Sequence, residues 1–219
     1  MEDVLFSWSG GKDSALALCE TIRSGRWNVR GLLTTAAENG RVPMHECRTE
    51  VIERQAKAVG VPLISVVLPE AAANETYEKR IEETLIVHKN SGVNTVVHGD
   101  IFLEDVKAFR EQQLQKIGFS AKFPLWGRDS RQLAEQFVSE RFRAKIVCVD
   151  TDVLDASWLG SEYDQGFLDR LPDHVDPCGE NGEFHTIVYD GPIFRHPVRF
   201  QLSNTFTSHS GRFHHLVVE

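Results

Sequence analysis

The stretch Val4-Leu5-Phe6-Ser7-Trp8-Ser9-Gly10-Gly11-Lys12-Asp13-Ser14-Ala15-Leu16-Ala17-Leu18 constrains this chain more than any other. A short apolar strand runs into a polar glycine turn, and the turn runs into a helix. Paired glycines let backbone N–H groups approach an anion without a side chain in the way. Ser9 and Ser14 add hydroxyls, the helix opening near Asp13 and Ser14 adds partial positive charge, and Lys12 adds a full cation. Asp13 suits such a place once a magnesium ion shares it with phosphate oxygens. The stretch reads as a nucleotide phosphate cradle.

Spacing separates it from other glycine cradles. No segment supplies the Walker pattern or three spaced dinucleotide-binding glycines. Ser9-Gly10-Gly11-Lys12-Asp13-Ser14 after an N-terminal strand resembles the PP-loop of the ATP pyrophosphatase superfamily, whose members cleave ATP between its α and β phosphates.

The segments that follow alternate. Val29–Thr35, Pro62–Leu68 and Val93–Val97 read as strands, and Cys47–Val59, Glu75–Asn90 and Asp105–Ile117 as helices, with Asn74 as a cap. Ala36–Met44 reads as a loop. Strand–helix alternation four times over predicts a doubly wound parallel sheet, with ligands beyond the carboxyl ends of its strands. Thr34, Gly99 and Asp100 fall at such ends, where Thr34 and Gly99 suit adenosine and Asp100 suits ribose or magnesium. Arg110 lies beside the apolar stripe of its helix.

Proline, tryptophan and glycine at residues 121–127 suggest a junction, dividing the chain into an ATP-binding domain over 1–125 and a smaller α+β substrate-binding domain over 126–219. In the second part, Ser130–Arg141 reads as a helix and Ala144–Val149 as a strand of undecided sheet. Arg199–Leu202 and Phe213–Val218 read as antiparallel strands about a turn at 208–211. The loop Asp176-Pro177-Cys178-Gly179-Glu180-Asn181-Gly182-Glu183-Phe184-His185-Thr186 is unusual: it gathers acids, an amide, a thiol and an imidazole around two glycines. Glu180, Glu183 and His185 are its candidates for acid–base work. His209, His214 and His215 lack the second cluster of a zinc site and read as structural.

Composition narrows the class. With 219 residues, 41% hydrophobic and 26% charged, the chain can bury an ordinary core. A net charge of −8 argues against broad nucleic-acid binding. Charged residues directly after Met1, no apolar run of membrane-spanning length and four scattered cysteines predict a reduced, cytoplasmic enzyme without a membrane partner. The oligomeric state is open, with a homodimer among the possibilities.

Taken in order, the Ser9–Ser14 loop, Gly99-Asp100-Ile101, Pro124-Leu125-Trp126, and Gly179 to Thr186 ahead of Asp190-Gly191-Pro192 resemble the diphthine–ammonia ligase family. The resemblance implies ATP and Mg2+, a PP-loop domain followed by a substrate domain, and amidation of a carboxylate by ammonia with release of AMP and pyrophosphate. The family substrate is diphthine on elongation factor 2. Members acting on it usually carry Glu-Gly-Gly-Glu-Tyr/Phe-Glu-Thr where this chain has Glu180-Asn181-Gly182-Glu183-Phe184-His185-Thr186. Substitution at 181 and 185 makes a small-molecule carboxylate, for example in corrinoid salvage, the alternative substrate. RNA-base modification and non-catalytic ATP sensing are the readings from other classes.

Overall fold

The computed structural model describes residues 1–42, 47–69 and 74–219, with Asn74 described by its backbone alone. The chain order is β1 (Glu2–Ser7), α1 (Lys12–Arg23), β2 (Trp27–Ala37), α2 (Thr49–Val59), β3 (Leu63–Leu68), α3 (Asn74–Lys89), β4 (Thr95–Val97), α4 (Glu104–Lys116), β5 (Ser120–Lys122), α5 (Ser130–Ser139), β6 (Arg143–Asp150), α6 (Gln165–Arg170), β7 (Phe184–Asp190), β8 (Leu202–Ser208) and β9 (Phe213–Val218).

β1 to β5 form one parallel sheet in the order β3-β2-β1-β4-β5. Its centre is the apolar run Val4-Leu5-Phe6, fully buried because helices cover both faces. The winding reverses between β1 and β4, and a crevice opens at their carboxyl ends. The glycine turn follows β1 there, and His98-Gly99-Asp100 follows β4. The expected doubly wound sheet is therefore present.

β6 to β9 form a separate antiparallel sheet, order β7-β6-β9-β8, which settles where the 144–149 segment belongs. One apolar core runs from Phe6 and Leu18 through Phe137 and Tyr163 to Phe184 and Ile187, beneath both sheets. A smaller core lies under α3 and α4 on the other face of the parallel sheet, around Leu5, Val66, Leu85 and Val96.

Several boundaries differ from expectation. β5 occupies part of the segment read as a junction; three residues at a sheet edge, exposed on both sides of Ala121, carry too little pattern to be seen. β8 begins only at Leu202 and is polar except for Leu202 and Phe206, as suits an edge strand with an exposed face. Phe184, His185 and Thr186 lie on β7 rather than in the loop. Of the expected inner face of α4 only Leu114 is buried, and Phe109 is exposed, because the helix borders a cavity. The expected cap by the Asn74 side chain lies outside the described residues, as do residues 43–44 of the expected loop, whose first two residues, Ala36 and Ala37, close β2 instead.

Candidate active site

Lys12 to Arg23 coil as α1 directly after Gly11, whose own geometry is extended. Gly10 adopts φ +81°, and a Cβ there would meet Ile52 Cδ1 at 2.5 Å and Gln55 Oε1 at 2.6 Å, so the turn needs glycine on both counts. Gln55, a polar residue on the buried face of α2, ties the turn down. It accepts from Trp8 Nε1 at 3.0 Å and donates to Gly10 O at 3.0 Å and Val188 O at 2.6 Å. Val188 N donates to Gly10 O at 2.9 Å, joining the turn to β7.

Within the cradle, Gly11 N donates to Ser9 Oγ at 3.2 Å, Ser9 Oγ to Ser14 Oγ at 3.1 Å, and Ser14 Oγ to Gly11 O at 2.9 Å. Lys12 N donates to Thr186 Oγ1 at 3.0 Å. Lys12 is 4% exposed; its side chain donates to Asp13 Oδ2 at 2.8 Å and to Cys178 O, and lies over the Phe184 and Tyr163 rings. Burial works against its ammonium, but Asp13 and the other negative groups around it outweigh burial and hold its pKa above the ordinary lysine value.

The 176–183 loop arches over this cradle. Asp176 Oδ1 accepts from Cys178 N at 2.9 Å and Glu180 N at 3.1 Å, and Tyr163 Oη donates to Pro177 O at 2.7 Å. Glu180 Oε1 accepts from Ile101 N at 2.8 Å, which fastens the loop to the end of β4. Burial raises the Glu180 carboxyl to about 7, against the Ile101 N–H that favours its anion, with Asp13 and Asp100 adding to the rise. Glu183 is buried, and its Oε1 accepts from Asp176 N at 3.1 Å and Asn181 Nδ2 at 3.0 Å. Oε1 thus bonds within the loop, while the buried Oε2 has no hydrogen-bond partner among the described residues.

Beside the cradle lies a cavity of about 320 Å³ at the ends of β1, β2 and β4. Thr34, Ser9, His98, Arg110 and His185 give it polar walls; Leu33, Leu85, Val96 and Leu114 are apolar. Asp100 at its edge pairs with Arg110 Nε at 3.0 to 3.1 Å. Gly99 packs on the start of α1, where a Cβ would come within 3.1 Å of Asp13 O and Ser14 N.

The expected site residues thus fall around one crevice in two groups, Lys12, Asp13 and Glu180 at the cradle and Thr34, Asp100 and His185 around the cavity. Thr186, Gln55, Asp176 and His98 were not singled out. Gln55 was visible as a polar residue in an apolar stripe, whereas the other three become significant only through the tertiary neighbours they meet. Among the described residues no three His, Cys, Asp or Glu form a preformed metal cluster. Asp13 keeps 29% of its side chain exposed, and its carboxyl is pushed up by burial and by Asp176, against the pull of Lys12. Crowded acids beside a phosphate cradle suit a magnesium ion that takes one or two carboxylates and completes its shell with phosphate and water. His215, by contrast, is stacked on Phe206 and hydrogen-bonded to Ser208 Oγ at 2.8 Å, which accounts for its burial.

Residues 2–121 match the family model for the diphthamide synthase N-terminal domain, and residues 129–217 the model for the diphthamide synthase C-terminal domain. The chain is 26% identical to the human diphthine–ammonia ligase over 210 residues, covering 85% of this chain and 78% of that protein. It is 23% identical to the Bos taurus diphthine–ammonia ligase over 227 residues, with 94% and 85% coverage. Against the Saccharomyces cerevisiae diphthine–ammonia ligase it is 24% identical over 224 residues and spans 33% of that longer protein.

Proposed function

The chain belongs to the diphthamide synthase family, and on that premise we propose that it is an ATP-dependent carbon–nitrogen ligase that couples a carboxylate to ammonia and releases AMP and pyrophosphate. The observation that carries the reading is the closed cradle: Lys12 and the Gly10–Ser14 turn sit at the winding reversal of the sheet, roofed by the acidic 176–183 loop.

In this reading the phosphates of ATP lie against Gly10, Gly11 and the start of α1, and the adenosine fills the cavity between Thr34 and Gly99. The substrate carboxylate attacks the α-phosphorus, and the bond to the β-phosphate oxygen breaks. Lys12 balances charge on the departing pyrophosphate. Ammonia then attacks the acyl carbon of the adenylate, and AMP leaves with the former carboxylate oxygen. Glu180, with a pKa near neutrality, takes the proton the attacking nitrogen must lose. Ser9 and Ser14 orient the turn, Glu183 holds the loop, and His185 lines the cavity that takes the adenosine. Asp13 would hold magnesium, whose chemistry is to neutralise phosphate charge.

The relatives' names point to diphthine as the acceptor. Asn181 lies in the 176–183 loop and His185 on β7 against the cavity, and their departure from the residues usual at those positions favours testing small carboxylic acids beside it. Pyrophosphate release from ATP, Mg2+ and ammonium should be measured against diphthine-bearing elongation factor 2 and a panel of small carboxylic acids. Stimulation by either supports the ligase, and the acid that stimulates names the substrate. Release that no carboxylate accelerates removes the reading.

A further inference from the structure

His98 closes β4 and is only 7% exposed, yet neither ring nitrogen has a hydrogen-bond partner among the described residues. Phe123 stacks on it at 5.5 Å with the rings 23° apart. Leaving polar nitrogens without partners in a buried place is costly, and a native chain that does so calls for a reason. Apolar packing gives none, because phenylalanine would fill the same space without that cost. Among the described residues no further His, Cys, Asp or Glu joins it in a ligand cluster. Burial first, and Arg110 second, hold the imidazole well below its ordinary pKa and favour its uncharged form.

What His98 does border is the 320 Å³ cavity that also meets Ser9 and Thr34. A neutral imidazole carries one donor and one acceptor, and therefore suits an uncharged heterocycle or hydroxyl rather than phosphate. The cavity's mostly apolar wall, with a few polar groups among it, matches a nucleoside and not a triphosphate. We propose that His98 is a nucleoside-contacting residue, whose missing hydrogen-bond partner is supplied by the base or ribose of the nucleotide that the cradle holds by its phosphates. This rests on the reading of the chain as an ATP-dependent ligase, and it adds a specificity residue at the end of β4. The free chain then carries a defect that nucleotide binding repairs.

That sign makes the test specific. AMP and a non-hydrolysable ATP analogue should be titrated into the chain with 15N-labelled histidine, and affinity measured for the unaltered chain, His98→Phe and His98→Gln. The His98 ring nitrogens, assigned by their loss in either variant, should shift on saturation. His98→Phe should bind roughly 3- to 10-fold more weakly, with an unfolding midpoint equal to or above that of the unaltered chain. His98→Gln, which keeps a donor and an acceptor, should recover part of the affinity. A purely structural histidine would give lower stability in His98→Phe and unmoved nitrogens. Saturable binding that leaves the His98 nitrogens unshifted, or full affinity in His98→Phe, overturns this inference and leaves the ligase reading standing. No nucleotide binding by the unaltered chain overturns both.

Discussion

Lys12 and Glu180 carry opposite signs of the same design, a charge held where water is scarce. Lys12 is kept cationic by the acids around it, so its removal should abolish the response to phosphate rather than soften it. Lys12→Ala is expected to lower carboxylate-dependent ATP–pyrophosphate exchange by about 10²- to 10³-fold, the scale of removing one well-placed electrostatic group. Near-normal exchange would remove Lys12 from the chemistry. Glu180 titrates near 7, so as a base it should make kcat/KM rise with pH through that value, and Glu180→Gln should lose the inflection. The same shift bears on stability. A carboxyl whose folded pKa lies above its unfolded value stabilises the fold in its protonated form. That contribution is complete below about 4.5 and is lost as pH rises through about 7. Urea midpoints taken from pH 4 to pH 8 should therefore fall more steeply in the unaltered chain than in Glu180→Gln.

At the scale of elements, the β1–α1 turn is held by its neighbours as much as by its own residues. Gly10→Ala forces a Cβ into Ile52 and Gln55 at a positive φ, at a cost of ~1–3 kcal/mol. Its denaturant midpoint should fall, and nucleotide affinity with it. Gln55→Leu removes the hydrogen bonds to Trp8, Gly10 and Val188 together and leaves buried partners unmatched, which should cost about 2–4 kcal/mol. An unchanged midpoint in Gln55→Leu would mean that α2 and β7 do not brace the turn. The long periodic elements were legible, since α2 shows its buried face in Val51, Ile52, Ala56 and Val59 and β1 its apolar run. β5 and β8 were not, because one is three residues long and the other turns a polar face to solvent.

For the whole molecule, the core passes without a break from beneath the parallel sheet to beneath the antiparallel one, and β7 is bonded to the glycine turn itself. A division near residue 125 would open that core. We expect the full chain to unfold in one cooperative transition, with near-ultraviolet circular dichroism and tryptophan fluorescence giving the same midpoint. Two resolved transitions would mean that the two sheets are stable independently. No helix among the described residues is long and apolar enough to cross a membrane.

The sequence by itself determined the local features: a glycine turn between a buried strand and a helix, the alternation that builds a parallel sheet, and an acidic loop rich in glycine. Each depends on residues close together in the chain, where spacing and residue type already limit the backbone. Only the tertiary structure decided that Thr186 meets Lys12 N, that Glu180 is fastened to Ile101 and raised to about 7, and that His98 is buried with no hydrogen-bond partner among the described residues. Burial and hydrogen bonding set those roles, and both depend on groups tens of residues away in sequence that only folding brings within reach.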